Sequence, residues 1–214
     1  MPSLEILPGE VDGLLRFREI FGRIGPVEIE VGIGSGRFLL RQAESRPEVN
    51  FLGLEWSLKH LRVAKQRAER HGLTNVRFHR ADARHVLADL VPDASVARLH
   101  VYCPDPWPKK RHRKRRFFSP ETVGHLERIL VPGGFLDLST DIAEYLEEIG
   151  ALLRERTRLV EGRDPIFPLE EPEGRTNYEM KYLQAGRPIR RASYVRPGAS
   201  CETRTSVGLS RSPG

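Results

Sequence analysis

Apolar runs of strand length alternate along the chain with segments in which apolar residues recur at helical spacing. The runs typical of strands are Val27–Val31, Phe51–Glu55, Val76–His79, Ala97–Tyr102 and Gly134–Ser139. The segments typical of helices are Phe38–Arg46, Leu58–Arg70, Pro120–Leu130 and Asp141 to about Arg156. Because strands and helices alternate, the pattern predicts a doubly wound α/β fold, in which a mostly parallel sheet has helices on both faces.

Residues that start and stop helices support these boundaries. Gly72 follows Leu58–Arg70 as a C-terminal stop, and Ser119 with Pro120 is a typical cap and first turn. Thr140 is predicted to cap the helix that begins at Asp141.

Candidate chemistry is concentrated where the strands end. The first strand runs into a turn that contains Gly32, Gly34 and Gly36, and glycines there let the backbone turn sharply and approach a ligand closely. Acids stand at the ends of four consecutive strands, and these are Glu30, Glu55, Asp82 and Asp105. Ligands of doubly wound sheets bind beyond the carboxyl ends of the strands, so we expect these residues to share one cleft.

The acids narrow the choice of ligand. A glycine-rich turn by itself is common to dinucleotide, phosphate and S-adenosylmethionine sites. Carboxylates that converge on one cleft repel one another unless a cationic ligand or hydrogen bonds relieve them. S-adenosylmethionine, which carries a sulfonium and an amine, therefore fits better than NAD or ATP. The G-x-G-x-G spacing and the acid Glu30 also count against a dehydrogenase.

Charge is distributed unevenly over the 214 residues. The composition, with 39% hydrophobic and 30% charged residues, is that of a globular protein. The net charge of +6 hides two strongly basic segments, residues 109–116 and 181–214, each with seven lysines and arginines. The remainder of the chain is acidic, which favours a polyanionic partner that docks at defined places.

Other features exclude several classes of protein. No apolar run approaches the ~20 residues of a membrane span, and the first residues lack a basic-then-apolar leader, so a cytosolic protein is expected. Cys103, Cys201 and the seven histidines show no metal-ligand spacing, so no metal is expected.

The loop after the fourth strand combines three kinds of chemistry. Pro104-Asp105-Pro106-Trp107 is stiff, because each proline restricts its own backbone and that of the residue before it. It places an acid and an aromatic face directly before the basic run, which supplies charge for phosphates. We therefore expect a nucleic-acid contact beside the cleft.

The chain resembles the bacterial tRNA (guanine-N7-)-methyltransferases. The resemblance is carried by EVGIGSG, FLGLE, ADA, PDPWPKKRHRKRR, STD and TNYE, and runs from about Val27 to Val195. It implies a seven-stranded Rossmann-like methyltransferase sheet in residues 27–196, and it does not cover the N-terminal segment, 1–26. The tail, 197–214, is basic and rich in serine, threonine, glycine and proline, so we expect it to be disordered or to become ordered only on binding. The resemblance also implies methylation of guanosine 46 in the tRNA variable loop, with S-adenosylmethionine as donor.

Individual roles follow from the resemblance, position by position. The cofactor-binding positions are Glu30, Gly32, Gly34, Gly36, Glu55, Asp82 and Asp105, of which Asp105 is also the catalytic position. The guanosine-binding positions are Lys109, Asp141, Thr176, Asn177, Tyr178 and Glu179. The RNA-contacting positions are Arg111, His112, Arg113, Lys114, Arg115 and Arg116.

Two alternatives remain at this point. One is a methyltransferase of the same fold that acts on ribosomal RNA or on a protein. The other is a non-catalytic RNA-binding protein that kept the cleft, against which the intact acids at the strand ends count.

Overall fold

The computed structural model describes residues 3–6, 13–162 and 175–198. Its strands are β1 Glu5–Ile6, β2 Val27–Val31, β3 Asn50–Leu54, β4 Val76–His79, β5 Val96–Tyr102, β6 Leu130–Thr140, β7 Val160–Gly162 and β8 Arg190–Val195. Its α-helices are α1 Phe17–Phe21, α2 Arg37–Ser45, α3 Leu58–Arg70, α4 Ala83–His85, α5 Pro120–Ile129, α6 Ala143–Arg156 and α7 Asn177–Gln184. A π-helical turn, Val86–Leu90, follows α4, and a 3-10 helix, Lys110–Arg115, precedes α5. The predicted tail lies outside the described residues from residue 199 onward.

The strands form one sheet in the order β1-β4-β3-β2-β5-β6-β8-β7. The pairs from β1 to β6 are parallel, whereas β8 is antiparallel to both β6 and β7. The chain moves outward from β2 to β4 and then returns to place β5 on the other side of β2. The strand order therefore reverses between β2 and β5, which is where a doubly wound sheet opens a crevice.

The predicted doubly wound, mostly parallel sheet is confirmed, with one more strand than the seven expected. The eighth is β1, in which Glu5 pairs with Phe78 of β4. Part of the segment placed before the domain is thus an edge strand of the sheet.

The two faces of the sheet have different cores. On β3, Phe51 belongs to the cluster formed with α2 and α3, whereas Leu52 and Leu54 belong to the cluster on the opposite face. This alternation is the period of a strand that is buried on both sides. At Gly53 a Cβ would come within 2.7 Å of Leu39 Cδ2, so only glycine lets α2 pack this closely on β3.

The α2 side of the central strands is unusually polar. Alternate residues of neighbouring strands face one another there in register, and they include Glu28, Glu30, His100, Asp137 and Ser193, all of which are buried. Phe38 of α2 covers this row with an edge-to-face contact to His100 at a centroid separation of 4.9 Å. The row extends below the cleft described next.

Most predicted helix ends are confirmed. α3 spans the predicted residues, and the Ser119 side chain accepts a hydrogen bond from the Thr122 amide at the start of α5. The predicted start at Asp141 is wrong, because Thr140 is still the last residue of β6 and α6 begins at Ala143. The Thr140 hydroxyl instead accepts a hydrogen bond from the Ile142 amide, within the turn that joins the two elements.

Candidate active site

A cleft of about 480 Å³ opens over the carboxyl ends of β2, β3 and β5. Its walls include Gly32 and Gly34 from the turn after β2, Glu55 from the end of β3 and Asp105 from the loop after β5. Asp82 and Asp141 lie on the same walls. The glycine turn, Glu55, Asp82 and Asp105 thus meet in one cavity, as predicted from their positions at the strand ends, and Asp141 joins them there.

The glycines after β2 have two different functions. Gly32, Gly34 and Gly36 all have left-handed backbones, with φ values of 72°, 54° and 77°. A Cβ on Gly32 or Gly34 would meet no atom within 4 Å, so both face the open cleft. A Cβ on Gly36 would lie 3.0 Å from the Cβ of Ala64. Gly36 therefore permits close packing of α2 on α3 and is not part of the cleft wall.

Glu55 fixes the shape of the glycine turn. Its Oε2 accepts a hydrogen bond of 2.8 Å from the Gly34 amide, and its Oε1 accepts one of 2.7 Å from the Ser57 amide. Each carboxylate oxygen retains a lone pair, so a hydroxyl of a bound ligand has an acceptor here.

Asp82 is both a wall of the cleft and a helix cap. It accepts a hydrogen bond from the Arg84 amide at the start of α4 and forms an ion pair of 2.9 Å with the Arg84 guanidinium. The Arg84 hydrogen bond lowers the pKa of Asp82. The acid is therefore ionised and partly neutralised before any ligand binds.

Glu30 departs from the predicted arrangement. It is only 1% exposed, lies below the glycine turn and does not line the cleft. Burial, together with the nearby acids Glu179 and Glu55, raises its pKa to about 8. Glu30 is thus a neutral acid at pH 7 in this structure, whereas the sequence led us to expect a carboxylate that attracts a cationic ligand. Its predicted contact with the donor stays a prediction. Its Oε2 has no hydrogen-bond partner among the described residues.

Asp105 is held by a strained loop. Cys103 and Trp107, on either side of it, have positive φ values of 48° and 39°, which are rare for residues with side chains and often occur at functional sites. The Cys103 amide donates a hydrogen bond to Ser139 O, and Arg116 Nε donates one of 2.7 Å to Pro106 O. The loop is thereby anchored at both ends while Asp105 itself is exposed to the cleft.

The basic segment after this loop is divided into exposed and anchored residues. Arg115 lies over the Trp107 ring at 5.0 Å and lines the cleft, while the His112 ring contacts the same indole edge-on. Arg111 and Lys114 are exposed on the 3-10 helix, and Lys109 is exposed just before it.

Arg116 differs from its neighbours in this segment. Its side chain is only 11% exposed, is paired with Glu148 and lies 4.6 Å over the Tyr145 ring. Arg113 also pairs with Glu148, at 3.6 Å, but is half exposed. The Arg116 guanidinium is thus engaged by protein groups and anchors the segment, and its predicted RNA contact stays a prediction.

The start of α7 closes the cleft from above. Thr176 and Glu179 form a capping box, in which each side chain accepts a hydrogen bond from the other residue's amide. Asn177 donates a hydrogen bond to the hydroxyl of Ser35, in the glycine turn. Tyr178 is half exposed and lines both the main cleft and a smaller adjoining cavity of about 200 Å³.

Glu179 is the second acid that the structure places away from ligand. It is fully buried, and Arg191 Nη2 donates to its Oε1 at 2.8 Å while the Thr176 amide donates to its Oε2 at 2.7 Å. Both oxygens are engaged inside the protein. In this arrangement Glu179 anchors the α7 helix on β8, and its predicted contact with guanosine stays a prediction.

Two groups of residues near the site cannot be found by inspecting the strand ends. One is the buried polar row, whose only sequence signal is the two-residue alternation of charges in β2, β5 and β6. The other is Arg187, which lines the cleft and pairs with Asp141. Its only signal is its position directly after Gly186 at the end of α7.

Comparison with known proteins agrees with this geometry. Residues 25–192 match the model of a family described as "Putative methyltransferase". The chain is 37% identical over 177 residues to a tRNA (guanine-N(7)-)-methyltransferase of Pseudoalteromonas atlantica, covering 81% of this chain and 74% of that protein. It is 34% identical to a protein of the same name from Myxococcus xanthus, covering 83% and 86% of the two chains. The chain belongs to the tRNA (guanine-N7-)-methyltransferase family.

Solved structures support the fold independently. The 16S rRNA methyltransferase KamB is similar with a TM-score of 0.65 and 16% identity over 90% of this chain and 94% of that one. The aminoglycoside resistance methyltransferase NpmB1 gives a TM-score of 0.57 and 21% identity over 84% and 93%. At these identities the likeness concerns the fold alone, and it confirms the Rossmann-like methyltransferase sheet.

Two features are absent from the described residues. None of their helices is long and apolar enough to cross a bilayer. No cluster of three or more potential metal ligands occurs within residues 3–6, 13–162 and 175–198.

Proposed function

We propose that this protein transfers a methyl group from S-adenosylmethionine to N7 of guanosine in tRNA, at position 46 of the variable loop, in the cytoplasm. The observation that carries the proposal is that the open glycine turn, the exposed Asp105 and the Trp107–Arg115 stack all line one cleft. The family of the chain supports the same activity, since its curated relatives carry that name.

The residues of the cleft fit the donor. The open space beside Gly32 and Gly34 admits a ligand against bare backbone, and the cleft volume falls in the range of ~300–1,000 Å³ that is usual for small-molecule sites. Glu55 offers acceptors to ribose hydroxyls, and Asp82 offers one to the exocyclic amine of adenine. When bound, the donor supplies an electrophilic methyl group on a positively charged sulfur.

The protein has little proton chemistry to perform in this reaction. N7 of guanine carries an unshared electron pair and no proton, so no general base is needed to make it a nucleophile. Positioning of the two reactants supplies roughly 7–11 kcal/mol in favourable cases. Cys103, which lines the cleft, takes no part as a thiolate, because burial raises the pKa of its thiol to about 12.

Asp105 is the residue to which we assign the catalytic role. Guanine gains a positive charge as N7 is methylated, so a nearby carboxylate stabilises the transition state more than the ground state. Asp105 is exposed to the cleft, and the described residues form no ion pair with it that would neutralise its charge. The strained loop holds this charge in place before the substrate arrives.

Asp141 and Asp105 are the acids suited to select the base. The N1–H and amino group of guanine are two adjacent donors, which a carboxylate accepts, whereas adenine lacks this pair of donors. Both carboxylates lie on the cleft wall. Tyr178, half exposed at the cleft, offers a stacking face for the unstacked base.

The basic segment is assigned to the RNA backbone. Lys109, Arg111 and Lys114 are exposed beside the cleft, and cations of this kind neutralise phosphates without reading sequence. Arg115 and His112, which contact Trp107, keep the indole in place at the entrance.

The decisive experiment is digestion to nucleosides of tRNA that has reacted with the protein and isotopically labelled donor. The expected result is label in 7-methylguanosine, and its loss when guanosine 46 is replaced. Ribosomal RNA and total protein serve as competing acceptors in the same reaction. Label in either of these and none in tRNA would contradict the proposal, as would label on any other atom of the tRNA.

A further inference from the structure

The end of helix α7 directs one arginine into the cleft. Gly186, with φ of 68°, ends the helix in a left-handed turn, and the Arg187 amide donates a hydrogen bond of 2.8 Å to Tyr182 O. The Arg187 guanidinium folds back over the Tyr182 ring at 4.4 Å. Both side chains line the cleft, so the helix end positions a cation at the substrate side of the site.

This cation is paired with an acid of the site. Arg187 forms an ion pair with Asp141, whose side chain is 8% exposed, while the arginine side chain remains 52% exposed. In this arrangement the Arg187 guanidinium occupies the Asp141 carboxylate, which in the proposed function accepts hydrogen bonds from the N1–H and amino group of guanine. The hydrogen-bond donors of guanine and the Arg187 guanidinium therefore compete for the oxygen atoms of Asp141.

A nucleotide that enters the cleft brings its own partner for Arg187. A phosphodiester matches the planar guanidinium with two parallel hydrogen bonds, as a carboxylate does. Arg187 keeps an anionic partner when it moves from Asp141 to a phosphate, and the buried Asp141 carboxylate gains the donors of the base in its place, so neither group is left unpaired. Once the phosphate has paired with Arg187, the Asp141 carboxylate is available to accept hydrogen bonds from the base.

From this geometry we propose that Arg187 binds a backbone phosphate of the RNA beside the target guanosine, and that its move from Asp141 to the phosphate frees the Asp141 carboxylate for the base. The inference rests on the proposed function. It adds Arg187 to the RNA-contacting residues and makes base recognition depend on the presence of the adjoining phosphate.

The test measures tRNA affinity over a series of salt concentrations for Arg187→Ala, Arg187→Lys and the control Arg190→Ala. Loss of one phosphate contact is expected to reduce the slope of log K against log salt by about 0.7–0.9 and to weaken binding roughly tenfold. Arg187→Lys keeps the charge and is expected to restore the slope. Arg190 is exposed nearby but does not line the cleft, so its replacement is expected to change both quantities less.

A second background separates the phosphate contact from a purely structural role of the arginine. In Asp141→Asn, where no ion pair is left to lose, Arg187→Ala is still expected to lower the slope. An unchanged slope accompanied by a lower melting temperature would reduce Arg187 to a structural tie and overturn the inference. Tighter tRNA binding by Arg187→Ala would overturn it as well, because the arginine would then only block the site.

Methyl transfer by the unmodified protein is recorded in the same samples. If the unmodified protein methylates tRNA while Arg187→Ala keeps the full slope, only the inference fails. If the unmodified protein transfers no methyl group to tRNA, the proposed function fails and the inference fails with it.

Discussion

Glu28 and Glu30 lie two residues apart on β2, face the same side of the sheet and are both buried, yet their surroundings are opposite. Glu28 accepts hydrogen bonds of 2.6 and 2.7 Å from the Arg46 guanidinium and lies 3.0 Å from His100 Nε2. Burial alone raises the pKa of Glu28, but His100 and Arg46 outweigh it and lower the pKa to about 2. Glu30 faces the acids Glu179 and Glu55, and its pKa rises to about 8.

The difference shows where this fold stabilises an ionised acid and where it favours the protonated form. Toward the start of β2, acids have cationic partners, and the pairs join α2 to the sheet. Toward its carboxyl end, Glu30 lies near the acids Glu179 and Glu55, and burial together with these charges favours its protonated form. Strongly perturbed acids that cluster at a cleft are typical of functional sites.

The largest expected effect is a loss of stability when the ion pair between Glu28 and Arg46 is broken. Arg46→Ala leaves the Glu28 carboxylate buried with one partner fewer, and removal of one member of a buried pair costs roughly 3–5 kcal/mol of unfolding free energy. Urea denaturation measures it. Arg41→Ala, on the exposed side of the same helix, is the control, with an expected change within about 0.5 kcal/mol. Equal losses of unfolding free energy in the two variants would show that the buried Glu28–Arg46 pair stabilises the protein no more than an exposed arginine does.

The next effect concerns the exposed acid of the cleft. Asp105→Asn removes the charge at nearly constant volume, and we expect turnover to fall about 100-fold, as for other preorganised electrostatic groups. Binding of S-adenosylmethionine, measured by calorimetry, is expected to fall much less. Asp93→Asn is the control, since Asp93 is exposed and pairs with Arg128 outside the cleft. An equal loss of donor affinity would reassign Asp105 to donor binding alone.

The opposite pKa shifts predict opposite dependence of stability on pH. Glu30 holds its proton in the folded protein, so its contribution is complete below about pH 4.5 and is lost as the pH rises through about 8. Glu30→Gln is therefore expected to gain stability relative to the unmodified protein as the pH rises from about 4.5 to about 8, by at most ~1.4 kcal/mol per pH unit, with no further gain above that range.

Glu28→Gln is the matched comparison for this measurement. The contribution of Glu28 is present above about pH 4.5 and is lost as the pH falls toward 2. This variant is expected to be less stable than the unmodified protein at neutral pH and to approach it in acid. Parallel curves of unfolding free energy against pH for the two variants would contradict the opposite environments of the two glutamates.

The smallest expected effects distinguish exposed from paired cations in the basic segment. Lys114 is exposed and forms no ion pair within the described part of the chain, whereas Arg116 is paired with Glu148. Lys114→Ala is expected to lower the salt slope of tRNA binding by about 0.7–0.9 without a change in melting temperature. Arg116→Ala is expected to lower the melting temperature with little direct change in slope. The reverse pattern, measured on the same samples, would exchange their roles.

Much of the fold and part of the site could be predicted from local patterns. Strand and helix periodicity places the ends of β2 to β6 within a residue or two, apart from the first residues of β6. The position of Glu55, Asp82 and Asp105 directly after strands predicts that they share a cleft. β1 escapes prediction because a two-residue strand has too few positions to show alternation. The start of α6 is misplaced because Thr140 has the character of a cap whether it ends a strand or begins a helix.

The roles of single acids could not be predicted in the same way. Glu30 and Glu179 belong to motifs at the site, but the structure buries both inside the protein. In the basic segment, the side chain of Arg116 is likewise only 11% exposed and is paired with Glu148. A motif records which residues lie near a site. It does not record which side of the backbone each one faces.

By itself, the sequence determined the order of strands and helices, the gathering of acids and glycines at one edge of the sheet and the adjoining cationic loop, because these depend on residues that are neighbours in the chain. Only the tertiary structure decided which charges are paired. Glu28 meets a residue 18 positions away in Arg46 and one 72 positions away in His100, and Asp141 meets Arg187 across the cleft. Pairing and burial set the ionisation of each group, and both arise only when distant segments pack together.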